Sequence, residues 1–173
     1  MHRRIAGIAL VLASLGAIGA AAPGASRAAP LAAHAFKWPP WLSVEWPVNP
    51  YDRANRDALL LVHAAMHEGV PTTHDMSGTA EGIVGGERRS VALRFDATSE
   101  PGVFALRRQW PASGDWLLRI TLAGSTTALV SLSRAGGITS VEVPMQVGSG
   151  SPLPRSVVAH DIDSALAVLA SRP

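Results

Sequence analysis

The sequence predicts an all-β domain of two stacked antiparallel sheets, with an export segment before it and a short helix after it. Short runs that alternate apolar with polar residues recur between Leu42 and Met145, which is the period of a half-buried strand. Gly and Pro turns separate these runs, as in β-sandwiches; a closed barrel is the alternative reading of the same pattern. The first 22 residues follow a different pattern.

That opening stretch reads Met1-His2-Arg3-Arg4 and then runs without charge from Ile5 to Ala22. A basic start followed by an apolar run is the layout of a signal peptide, assigned here to residues 1–22. Small-x-small sites at Ala20-Ala21-Ala22 and Ala33-His34-Ala35 place cleavage between 20 and 35. The alternative is a retained anchor, since the run approaches the ~20 residues that span a bilayer; membrane association follows only in that case. Either way the protein is expected to be periplasmic or secreted. Residues 23–41 then form an Ala/Pro-rich linker ending Lys37-Trp38-Pro39-Pro40-Trp41, stiffened by its prolines.

From Leu42 to Val48 a short strand is expected, confined to an edge by Pro47, with a turn at Asn49-Pro50-Tyr51-Asp52. The stretch 53–68 is ambiguous. Its Ala, Leu and Met favour a helix, whereas Leu60, Val62, Ala64 and Met66 would also line one face of a strand. Among so many strand-like neighbours, a strand over Ala58–His67 is the reading adopted. Met76–Val84 reads as a strand bulged at Gly78 or Gly82, and Gly85-Gly86 as a hairpin turn. The next strand, Ser90–Phe95, turns Val91, Leu93 and Phe95 to one side. A strand over 103–110 follows, with Phe104, Leu106 and Trp110 inward. Trp116, Leu118, Ile120 and Leu122 then alternate without fault and belong at the centre, with Arg119 and Thr121 outward. Strands 126–133 and 138–145 complete the sandwich domain, 42–146. Residues 147–173 comprise a linker through Pro154 and an amphipathic helix from a Ser156 cap to Leu169, with Val158, Ile162, Ala165, Leu166 and Leu169 on one face.

The segments Gly78-Thr79-Ala80-Glu81-Gly82, Glu100-Pro101-Gly102-Val103-Phe104-Ala105-Leu106 and Ser113-Gly114-Asp115-Trp116-Leu117-Leu118 resemble the exported bacterial immunoglobulin-like modules of the YtkA-like group. In that group a Gly-x-aromatic strand leads through a Gly-x-Trp turn into a core strand. The resemblance covers about residues 42–145. It implies an immunoglobulin-like antiparallel β-sandwich, a strand over the ambiguous segment, and an accessory role in the cell envelope. The Met- and His-rich stretch of some relatives is missing, which by analogy speaks against copper.

Composition excludes several classes. Among 173 residues there is no cysteine, so no disulfide, thiolate metal site or cysteine nucleophile exists. Of 15 basic and 13 acidic residues, Arg3 and Arg4 lie in the signal segment, which leaves 13 of each. The pairs Arg88-Arg89 and Arg107-Arg108 lack an aromatic-studded basic surround, so no nucleic-acid partner is expected. No G-x-S-x-G elbow, P-loop, dinucleotide fingerprint, EF-hand loop or HExxH occurs, and the sequence reads as non-enzymatic.

One cluster could bind metal: His63, Met66, His67, Glu68, His74, Asp75 and Met76. On a strand, His63 and His67 would stand ~13 Å apart, too far for one ion. The better set is His67, His74 and Met76, with His63 as an outlying fourth. Imidazole with thioether suits copper, and imidazole with carboxylate suits zinc; no other cofactor is implied. The expectation is thus an exported accessory or protein-binding module that meets an envelope protein through a sheet edge or the tail helix. Periplasmic copper or zinc binding is the alternative, and a carbohydrate-binding surface of Trp38, Trp41 and Trp46 is a second.

Overall fold

The computed structural model describes residues 39–66, 69–147, 150 and 152–171. The signal segment, most of the linker, Trp38, His67 and Glu68 lie outside the described residues. Within them the chain forms eleven strands and one helix. These are β1 (Trp41–Glu45), β2 (Leu60–Ala65), β3 (Met76–Val84), β4 (Glu87–Ala92), β5 (Asp96–Ala97), β6 (Val103–Leu106), β7 (Asp115–Leu122), β8 (Thr126–Leu132), β9 (Ile138–Glu142), β10 (Met145–Val147), β11 (Pro152–Pro154) and α1 (Ala159–Ala170).

Two antiparallel sheets result, one in the order β1-β2-β6-β5 and the other β4-β3-β7-β8-β9, with β10-β11 as a separate ribbon. Their inner faces share one core, in which Leu42, Leu60, Val62 and Leu106 from the first sheet meet Trp116, Leu118, Ile120 and Val130 from the second. The arrangement is β-sandwich-like. The ambiguous stretch is a strand, shorter than expected, and its Leu60, Val62 and Ala64 turn inward as the alternation requires.

β7 is central in its sheet and covered on both sides. Its even positions fill the inter-sheet core, while Leu117 belongs to a second cluster with Leu129, Ile162, Leu166 and Leu169. The helix therefore docks on the outer face of the five-stranded sheet. It begins at Ala159, not near Ser156: the Asp161 carboxylate accepts the Val158 N–H at 2.9 Å and caps it, and Val158 is exposed. The outer face of the other sheet is covered by the β1–β2 connection, whose Val48 and Ala58 pack on Leu61, Val103 and Ala105. Arg107 pins this connection by pairing with Asp57 at 2.9 Å and Asp96 at 2.8 Å.

Several boundaries differ from the sequence reading for identifiable reasons. Pairing of β4 starts beside the Gly85-Gly86 turn, with Val84 opposite Glu87. The chain then leaves that sheet after Ala92 and pairs with β6 as β5. β6 ends at Leu106 because the Gln109 side chain replaces a strand partner: it accepts from the Arg94 N–H and donates to the Arg94 carbonyl. Neither Gly78 nor Gly82 is a bulge; β3 pairs with β4 and β7 without a shift. Instead, a Cβ on Gly82 would lie 2.5–2.8 Å from three atoms of the Trp116 ring. The expected 138–145 strand breaks at Pro144, and Pro152–Pro154, read as linker, pairs with Met145–Val147.

Candidate functional site

The β10–β11 ribbon and the start of β1 enclose an apolar groove of about 320 Å³. One wall is Pro39, Pro40, Trp41 and Leu42; the other is Met145 with Pro152, Leu153 and Pro154; Thr126 and Val143 complete it. Pro39-Pro40 cannot continue the β1 ladder because proline has no N–H. The chain before β1 is fastened to the opposite sheet, where the buried Thr126 hydroxyl donates to the Pro40 carbonyl at 2.6 Å. That bond holds the first wall. The second wall is held at its far end. The Arg155 N–H donates to the Pro144 carbonyl at 2.9 Å. The Arg155 guanidinium makes two hydrogen bonds to Asp161, at 2.7 and 2.8 Å. Arg155, first of all, keeps the Asp161 carboxyl far below the ordinary carboxylate range, with the Val158 N–H adding to the effect.

The chemistry of the lining is nearly all carbon. Among the described residues no charged side chain borders the groove, and the one side-chain hydroxyl they place there, on Thr126, is engaged by Pro40. The volume falls at the lower end of the ~300–1,000 Å³ typical of small-ligand sites. Two of the wall residues are also open to solvent: Trp41 is 67 % exposed and Met145 47 %. Chemically, a concave apolar surface of this kind can take an uncharged side chain or chain segment.

Of the metal-ligand candidates from the sequence, His63, His74 and Met76 fall among the described residues. His63 lies on β2, and its Nε2 is 2.9 Å from the Glu45 carboxylate of β1. Its neighbours Val62 and Ala64 face the inter-sheet core, so His63 faces away from it. Met76 opens β3 in the other sheet and packs against that core. His74 lies between β2 and β3, its backbone N–H donating to the Thr72 hydroxyl at 3.3 Å. His67 lies outside the described residues. Among those described, no group of three or more His, Asp or Glu side chains is placed to hold one ion. Of the tryptophans proposed for a sugar surface, Trp38 lies outside the described residues; Trp41 opens β1 at the groove, while Trp46 follows its far end, ~16 Å along the strand.

Sequence reasoning flagged Trp41 but missed the facing wall. The available signal was the alternation Pro152-Leu153-Pro154 after a Gly-rich turn, since proline at alternate positions is compatible with an edge strand. Compared with known protein families, with curated proteins and with solved structures, the chain matches none.

Proposed function

We propose that this protein is a non-enzymatic, exported binding module of the cell envelope, immunoglobulin-like in fold as its likeness to the YtkA-like group implies. In this reading it holds an apolar segment of a partner protein in the groove between β1 and the β10–β11 ribbon. The observation that carries it is the carbon lining, in which the one hydroxyl among the described residues is already engaged. A sugar would need free hydrogen-bonding groups beside the tryptophan, and a metal would need donors; an aliphatic or aromatic side chain needs neither. A protein partner is favoured over a free small molecule because β1 is an edge strand. An extended segment can pair with it and set one side chain in the groove.

The test is titration of the full chain with the neutral fluorescent probe N-phenyl-1-naphthylamine, competed by a capped Pro-Leu-rich peptide. Saturable binding displaced by the peptide is expected. Trp41→Ser, at an exposed position, should weaken the probe roughly 30-fold while leaving the fold intact, the loss of about 2 kcal/mol typical of a central tryptophan. Binding unchanged by that substitution would sink the proposal.

A further inference from the structure

The hydrogen bonds of β2 fix which main-chain groups of β1 stay free. Ala64 on β2 donates its N–H to the Gly102 carbonyl at 2.7 Å, and its carbonyl accepts from the Thr72 N–H at 3.0 Å. Gly102 leads into β6, on the side of β2 away from β1. The N–H and C=O of one strand residue point the same way, and successive residues alternate. His63 and Ala65 therefore turn toward β1, where they lie opposite Ser43 and Trp41. By the same alternation, the N–H and C=O of Leu42 and Val44 point away from β2, out of the sheet edge. None of these four groups has a hydrogen-bond partner among the described residues. The side chains keep the same phase. Leu42 and Val44 pack in the inter-sheet core, and Leu42 lines the groove. Glu45 lies on the other face, with one carboxylate oxygen 2.9 Å from His63 Nε2. Its second oxygen has no partner among the described residues.

We infer that β1 takes up an antiparallel partner strand carrying, in order, a basic residue, a small apolar residue, a spacer and a large apolar residue. The inference rests on the groove being the binding surface. The large residue pairs with Leu42, and paired side chains share a face, so it enters the groove. The small residue pairs with Val44 and completes four main-chain hydrogen bonds. The basic residue lies opposite Glu45 in a non-hydrogen-bonded pair, the kind that brings side chains closest, and meets the unengaged oxygen. Antiparallel pairing is the more stable order per residue. A second copy of β1 in that register would set Trp41 opposite Glu45 and bring no cation.

The test adds a capped Thr-Arg-Val-Thr-Leu-Thr peptide to the full chain and follows amide hydrogen exchange by NMR. The Leu42 and Val44 amides should slow at least tenfold, while Ser43, already bonded to β2, should not change. N-methylation of the peptide's Val or Leu should weaken binding about tenfold; N-methylation of the Thr between them should not. Glu45→Gln should weaken this peptide about threefold and leave its Arg-to-Gln analogue unaffected. Displacement of naphthylamine without slowing at Leu42 and Val44 would overturn the strand and leave the groove reading standing. Slowing at both amides, with probe binding indifferent to Trp41→Ser, would keep the strand and sink the groove reading. Neither slowing nor displacement at millimolar peptide would overturn the strand. So would protection of Val44 in the free protein that rises with protein concentration, the mark of β1 pairing with a second copy.

Discussion

Replacing Gly82 with alanine probes the packing that sets the two sheets together. Gly82 lies on β3 directly opposite Trp116 on β7, and the indole lies over the space a side chain would use. An added Cβ would sit 2.5, 2.6 and 2.8 Å from three ring atoms, where ordinary contact begins at 3.4 Å. The ring must therefore retreat by roughly 0.6–0.9 Å. It has little freedom to do so: Trp116 is 1 % exposed, its Nε1 donates to the Ser113 carbonyl at 2.9 Å, and Trp110 packs against it with centroids 6.5 Å apart. Overpacking of this kind costs about 1–3 kcal/mol, and a weakened indole hydrogen bond adds about 1. The lower backbone entropy of alanine returns about 0.5–1. The expected net loss is about 1–3 kcal/mol, which for a domain of this size lowers the thermal midpoint by roughly 5–15 °C. Calorimetric melting measures it directly. Trp116→Phe removes the outer ring and vacates the contested space, so the double variant should be more stable than additivity predicts by about 1 kcal/mol. A Gly82→Ala protein within about 0.5 kcal/mol of the parent, or a strictly additive cycle, would refute the reasoning.

Two further outcomes are expected. Asp161 has its carboxyl held far below the ordinary range by Arg155 and the Val158 N–H; its contribution to docking α1 is complete above about pH 4, the unfolded carboxylate value. It is lost as pH falls below that toward the folded value. Hydrogen exchange in Ala159–Ala170 should accelerate below pH 4 in the parent and already be fast at pH 7 in Asp161→Asn; equal protection in both at pH 7 would contradict this. Thr126→Val leaves the Pro40 carbonyl without its donor, which should cost about 1–2 kcal/mol and weaken naphthylamine binding by loosening the first wall. Unaltered melting and probe affinity would show that the 2.6 Å bond does not hold the groove.

The parts of this fold that were legible in the sequence are those where one period decides the outcome. Trp116, Leu118, Ile120 and Leu122 alternate through β7 and share the inter-sheet core. Leu117, between them, was not legible as a second core position, because its burial depends on a helix more than forty residues further along the chain. Gly78 and Gly82 illustrate a second limit. Glycine within a strand signals either a bulge or a close approach, and only the partner across the ladder, Trp116 for Gly82, decides between them. The helix cap fell to Asp161 over Ser156 because Arg155 orients its carboxylate, a two-sided contact that no propensity encodes. Half of the groove was visible in Trp41 and the prolines before it. The other half depended on a ribbon in which Met145 faces Pro154 and Val147 faces Pro152, a pairing that local pattern does not favour. The histidine cluster is contiguous in sequence, and what His63 meets in the fold was not legible there, because Glu45, the group that engages it, is 18 positions away.

The short reach of β1 also limits how this molecule can associate with itself. An edge strand invites another sheet to extend it, and long flat edges polymerise. Here β1 spans five residues between Pro40 and Pro47, neither of which can donate to a ladder. On the other flanks of the described sheets, β5 has two residues, β4 opens with Glu87, Arg88 and Arg89, and β9 stops two residues before Pro144. Such edges can accept one short strand from a partner, but they are too brief, too charged or too broken to let a crowded population of these molecules stack into a continuous sheet.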